Sequence, residues 1–253
     1  MQNSTFNFYA KRPDGTTRKL SLPQLNKDGK TFVFLGIDYA YPAQDATLEV
    51  KFTSGGRIIS KPYPVKIKSL ENVREQKFSS ATTQNAEPST PEDIISVERE
   101  RNLLYPAWGD YATKLSHATE GFQLPRPACD FGSFGARRLY DGEERSRHSG
   151  MDCEGGIGDI IRAALPGKIV RSADGFFYMG NAVVIQHGFG LYTLYAHMTR
   201  RNVQEGGIVS PGQNIGEIGK SGRVTGPHLH WQAKLYGMNM NPKSLEVLND
   251  VFK

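Results

Sequence analysis

Five of the six histidines lie beyond residue 147, and four of those five fall in short patterns together with one aspartate. His148-Ser149-Gly150-Met151-Asp152 sets an imidazole and a carboxylate four residues apart, and His228-Leu229-His230 sets two imidazoles two residues apart. On a strand, residues i and i+2 project from one face, so both rings of the second pattern can approach one point while Leu229 turns into the core. A zinc ion accepts neutral imidazole nitrogen and carboxylate oxygen, and three protein ligands with an open fourth position mark a catalytic site. Two imidazoles and one carboxylate from this set fit that open type. Each pattern alone is weak. Their joint occurrence with Tyr195-Ala196-His197 is what points to metal chemistry.

The elements that must position these residues are read as strands and turns. Phe6 to Ala10, Thr31 to Ile37, Ala46 to Phe52 and Arg57 to Lys68 are rich in β-branched and aromatic residues and separated by Asp-Gly and Gly-Gly turns. In Ala46 to Phe52, Leu48, Val50 and Phe52 alternate with Thr47, Glu49 and Lys51, as a half-buried strand requires. Residues 1–70 are expected to form a small, Ig-like β-sandwich, and 71–121 a linker and helical segment. Ser79 to Pro91 is polar and linker-like. Thr90 then caps a helix with Pro91 at its first position and Asp93 three residues after the cap. Ile94, Val97, Arg101 and Leu104 follow at helical spacing, and Pro106 ends the helix. From 122 to 253, Gly167 to Ser172, Ala182 to His187, Leu191 to His197 and His228 to Leu235 are the clearest strands. The fold class is therefore mainly β, with a C-terminal antiparallel sheet.

From Phe131 to Pro242 the chain resembles the M23 peptidases, the lysostaphin-type metallopeptidases of bacterial cell walls. The matching pieces are Phe134-Gly135-Ala136-Arg137-Arg138, His148 to Asp152, Leu194-Tyr195-Ala196-His197 and Ser221-Gly222-Arg223-Val224-Thr225-Gly226-Pro227-His228-Leu229-His230. The resemblance implies that His148, Asp152 and His230 bind one Zn²⁺ per chain, and that His197 and His228 act on water and substrate without binding the metal. It implies a periplasmic or cell-envelope endopeptidase of peptidoglycan, with other cell-wall enzymes as partners. Cys153 departs from the family, where an aliphatic residue commonly follows the aspartate. Leu35-Gly36-Ile37-Asp38 and Tyr63-Pro64-Val65 resemble, more loosely, the β domain that precedes the catalytic one in some periplasmic members. The alternative is a non-catalytic regulator that binds and activates another wall hydrolase; the complete five-residue set argues against it.

No His-Glu-x-x-His helix supplies a glutamate base, so a histidine is the natural proton acceptor. Which of His197 and His228 takes that part stays open at the level of sequence. Asn181, just before a strand, is a candidate for binding a substrate carbonyl or a turn residue. Tyr195 and Trp231 flank the catalytic histidines and are read as core packing. Cys129 and Cys153 either form a disulfide, closing a loop of about two dozen residues and contributing on the order of 3 kcal/mol, or remain buried thiols.

The net charge of +5 suits an anionic partner, but no basic tract with interleaved aromatics suggests nucleic acid. No apolar run reaches the roughly 18 residues of a membrane span. Met1 to Phe8 lacks the pattern of a signal peptide, so an export segment is not expected within this sequence.

Overall fold

The structure, a computed structural model, describes residues 4–70, 73–79, 87–108 and 121–252. The chain divides into two compact units, Met1–Glu71 and Asn72–Lys253.

In the first unit the strands are β1 (Thr5–Lys11), β2 (Thr17–Leu22), β3 (Gln24–Lys27), β4 (Lys30–Val33), β5 (Gln44–Ser54) and β6 (Arg57–Ile67). An antiparallel sheet runs in the order β2-β1-β5-β6, and β3 and β4 form a separate hairpin. The expected sandwich thus takes the form of one four-stranded sheet and one hairpin. Phe8, Ala10, Leu20, Leu22, Ala46 and Ile67 are buried within it. The alternating segment lies in β5, where Leu48 pairs with Phe8 and Val50 with Phe6. The strand expected over Thr31 to Ile37 stops at Val33. Its partner in the ladder begins at Gln24, and Pro23 before it has no N–H to extend the pairing.

The second unit opens with β7 (Glu75–Phe78) and α1 (Pro91–Ala107). Strands β8 (Arg137–Tyr140), β9 (Glu143–Arg147), β10 (Met151–Glu154), β11 (Ile160–Arg162), β12 (Gly167–Phe176) and β13 (Gly180–Gly188) follow. The unit continues with β14 (Leu191–Arg201), β15 (Ile208–Val209), β16 (Asn214–Ile218), β17 (His228–Leu235) and β18 (Met238–Met240). A 3₁₀ turn (Pro242–Val247) and α2 (Leu248–Phe252) close it. The main sheet runs β10-β17-β14-β13-β12-β15, all antiparallel, with β16 joining β14 to β11 and β18 flanking β17. Strand β7, within the stretch read as linker and helix, pairs in parallel with β8. Residues 80–86 of the expected linker lie outside the described residues.

Thr90 forms the expected capping box with Asp93: the threonine hydroxyl accepts from the Asp93 N–H, and the Asp93 carboxylate accepts from the Thr90 N–H, each at 3.1 Å. Pro106 stays within the last turn, and the helix ends one residue later. Of the residues read at helical spacing, Leu104 is buried and Val97 half-buried, whereas Ile94 and Arg101 are exposed; Ser96, Glu100, Leu103 and Trp108 also turn inward. Leu104 and Trp108 pack on Ala173, Phe176, Ala182, Val184, Tyr192, Leu194 and Ala196 of β12, β13 and β14. The opposite face of the sheet carries Val183, Ile185, Tyr195 and Trp231, so β13 and β14 are covered on both sides. Among the described residues no helix is long and apolar enough to cross a membrane.

Candidate metal centre

Strands β10 and β17 pair with Asp152 directly opposite His230, and β17 pairs with β14 so that His230 lies beside Ala196. His148 comes from the loop before β10, held by its own backbone N–H on Ala136 O at 2.8 Å. The result is a triad of donor atoms. His148 Nε2 lies 3.0 Å from His230 Nδ1 and 3.2 Å from Asp152 Oδ1, and His230 Nδ1 lies 3.1 Å from Asp152 Oδ1.

The chemistry of this donor set fits a cation. His148 Nδ1 is 2.8 Å from Ser133 O, an acceptor, so a neutral ring spends its one N–H there and turns an Nε2 lone pair to the centre. Three electron-rich atoms at such spacing repel unless a positive charge lies among them. In a tetrahedron with bonds of about 2.0 Å the ligand atoms stand about 3.3 Å apart, close to the spacing seen. His148 and His230 are buried and Asp152 half-buried, which excludes bulk water from most of the centre. Burial raises the Asp152 carboxyl, but the close approach of the His148 and His230 rings outweighs it and holds the group well below the usual carboxylate value. Burial also pushes His230 down to about 4, against the pull of Asp152.

The support beneath the triad is specific. Ser133, which sequence reasoning missed, offers its carbonyl to His148, accepts the Asp152 N–H on its hydroxyl at 3.1 Å and donates that hydroxyl to Asp130 O at 2.8 Å. It lies next to the quoted motif, but nothing in the type of residue announces the role. Gly150 allows a close approach: a Cβ there would stand 2.5 Å from Trp231 O and 2.8 Å from the His230 ring. Cys129 and Cys153 are joined, with Cα atoms 3.8 Å apart. The bond fastens residues 128–130 alongside β10, where Asp130 N–H also reaches Asp152 O at 2.9 Å.

His197 and His228 stand beside the triad with ring centroids 4.9 Å apart, and His197 is 5.8 Å from His230. Strict alternation would put His197 on the opposite face of β14 from Ala196, and so away from His230. A bulge prevents this. Asn181 pairs with Met198 but Val183 with Tyr195, leaving one extra residue on β14, and His197 itself has φ 63°. The bulge with a left-handed residue re-aims the ring toward the centre. His197 Nδ1 lies 3.0 Å from Ser221 O and His228 Nδ1 2.9 Å from Gly226 O. Both rings therefore carry their proton on Nδ1 when neutral, with Nε2 left to accept one. Burial first, then the neighbouring His230 and His228, hold His197 well below the usual histidine value.

The other candidates lie as follows. Asn181 is engaged at both ends of its amide, with Oδ1 accepting from Gly175 N–H at 3.1 Å and Nδ2 donating to Met198 O at 3.0 Å. Tyr195 and Trp231 are fully buried, as their places on the strands suggested. His187, beyond the site, donates and accepts between Pro166 O and Thr193 Oγ1, each at 2.7 Å.

Comparison with known proteins agrees with this geometry. The chain is 39 % identical over 117 residues to the peptidoglycan DD-endopeptidase ShyC of Vibrio cholerae, an alignment covering 46 % of this chain and 27 % of that protein. It is 42 % identical over 98 residues to the DD-carboxypeptidase/endopeptidase Mpg of Neisseria meningitidis, covering 39 % of this chain and 22 % of that one. The chain thus spans about a quarter of the length of these relatives. A crystal structure of an M23 peptidase from Pseudomonas aeruginosa superposes with a TM-score of 0.66 at 21 % identity, covering 96 % of this chain and 88 % of that one, and shares the fold. Residues 146–242 match the model of peptidase family M23.

Proposed function

We propose that the chain is a zinc endopeptidase that hydrolyses peptide cross-links or stem peptides of bacterial peptidoglycan, acting in the periplasm or cell envelope. The observation that carries this reading is the convergence of His148 Nε2, Asp152 Oδ1 and His230 Nδ1 at 3.0–3.2 Å, with two further imidazoles turned toward them. The relatives' activities, the disulfide, which suits an oxidising compartment, and the basic net charge, which suits an anionic polymer, support it.

His148, Asp152 and His230 would hold a single Zn²⁺. That ion supplies Lewis-acid polarisation of the scissile carbonyl and makes a bound water acidic near neutral pH. The protein does the rest. His197 and His228, each with Nδ1–H fixed on a carbonyl, present Nε2 to take the water's proton and, once protonated, to stabilise the developing oxyanion or pass the proton to the leaving amine. Asn181 contributes through the hairpin that it fastens.

Incubating the purified protein with cross-linked dimeric muropeptides tests the reading. Monomeric products should appear, stop on addition of a chelator and return with zinc. Intact dimers in the presence of zinc, with a protein that instead stimulates a second wall hydrolase, would favour the regulator.

A further inference from the structure

We propose that Glu100, on α1 and outside residues 146–242 that match the family profile, is a positioning residue for His197. The inference rests on the catalytic part proposed above for His197.

Glu100 is a carboxylate on the inward face of α1, with 6 % of its surface accessible. Such a group needs strong donors, and here they are backbone N–H groups of the turn between β12 and β13. Tyr178 N–H reaches Glu100 Oε2 at 2.8 Å, and Met179 N–H also donates to the carboxylate. Burial raises the carboxyl while these two donors pull it down. Two other side chains of α1, Ser96 one turn earlier and the adjacent Arg99, satisfy the opposite polarity. Ser96 Oγ donates to Gly175 O at 3.1 Å, and the Arg99 guanidinium donates to Asp174 O at 2.9 Å. Helix α1 therefore caps both the carbonyls and the N–H groups at this end of the hairpin.

The three residues after Phe177 then hold the machinery of the site. Tyr178 O accepts from Arg223 N–H at 3.1 Å, and Met179 O accepts from His197 N–H at 2.9 Å. Gly180, at φ +62°, lies so close beneath Ser221 that a Cβ would come within 2.3 Å of its carbonyl carbon. Ser221 O is the acceptor that fixes His197 Nδ1. His197 is thus tied to the hairpin directly, through its backbone by Met179, and indirectly, through its ring by Ser221, whose Oγ accepts from Asn181 N–H at 2.9 Å. A left-handed residue in a bulge persists only where the surroundings over-determine it. Glu100 supplies that determination from behind, without touching substrate or metal.

Glu100→Leu, which fills the space without an acceptor, and Glu100→Gln, which keeps one, separate positioning from simple packing. The full chain is used throughout. Amide hydrogen exchange at His197 should be slow in the wild type and in Glu100→Gln, and at least about tenfold faster in Glu100→Leu. With dimeric muropeptides, Glu100→Leu should lower kcat by about 10–100-fold with KM and zinc content unchanged, and Glu100→Gln should restore most of it. Equal His197 exchange in the Leu and Gln variants, or equal kcat, overturns the proposal. A wild-type protein that cleaves no muropeptide refutes the peptidase reading instead, while the exchange measurement still judges the link from Glu100 to His197.

Discussion

His197 occupies a backbone conformation that costs a residue with a Cβ about 1–2 kcal/mol, and the strain sets its ring beside His228 and His230. Since it lies off the triad, His197→Ala should keep its zinc and lose about 10²–10⁴-fold in kcat. Elemental analysis beside a turnover assay checks both halves, and an active variant contradicts the role. His187 tests the electrostatics of the core apart from the site. Burial pushes it down to about 4, below its ordinary 6.5, so as pH falls the unfolded chain takes up the proton first. Its stabilising contribution is complete above about pH 6.5 and is lost progressively down to about pH 4. Between about pH 7.5 and about pH 4.5 the wild type should lose about 2–3 kcal/mol more than His187→Gln in urea unfolding. Equal losses would show that the buried ring is not held neutral. At this scale the gathering of His148, Asp152 and His230 is legible because His-x-His on a strand and a carboxylate near a histidine are patterns with a mechanism. The position of His197 was not, because alternation points it the wrong way and only the bulge corrects it. Ser133 was illegible because its work is done by a carbonyl that every residue has.

Among the elements, the Cys129–Cys153 disulfide, with a sequence separation of 24, ties the segment before the motif to β10, the strand that carries Asp152. Replacing both cysteines by alanine should cost about 3 kcal/mol, a fall in melting temperature of roughly 6–12 °C, with wild-type zinc content. An unchanged melting temperature would mean that the hydrogen bonds of residues 128–130 suffice alone. Strands β1, β5, β6, β12, β13, β14 and β17 were readable from β-branched runs and turn residues. Strands β7, β8 and β9 were not: Glu75-Gln76-Lys77-Phe78, Arg137-Arg138-Leu139-Tyr140 and Glu143 to Arg147 are charge-rich and carry little apolar alternation. They are held instead by partners such as Arg137 with Glu75 and Glu144. The helix start was legible from its capping box, whereas its buried face was set by the hairpin it caps rather than by its own apolar spacing.

Across the whole molecule, the second unit begins at Asn72, well before the first residue of the family match at 146. Removing residues 1–71 should leave the unfolding transition of residues 72–253 cooperative and near its temperature in the full chain. Starting instead at residue 122 removes β7 and α1 and uncovers Phe176, Tyr192 and Leu194, at a cost of roughly 3–6 kcal/mol. Calorimetry on the two fragments separates the cases; equal stability would show that α1 adds nothing to the sheet it covers. The most direct test of the metal centre is zinc stoichiometry by elemental analysis of the full chain and of His230→Ala, both dialysed against metal-free buffer. One zinc per chain in the first and none in the second is the expected result. A wild-type chain that binds no zinc, or a variant that keeps it, would contradict the assignment of His148, Asp152 and His230 as its ligands.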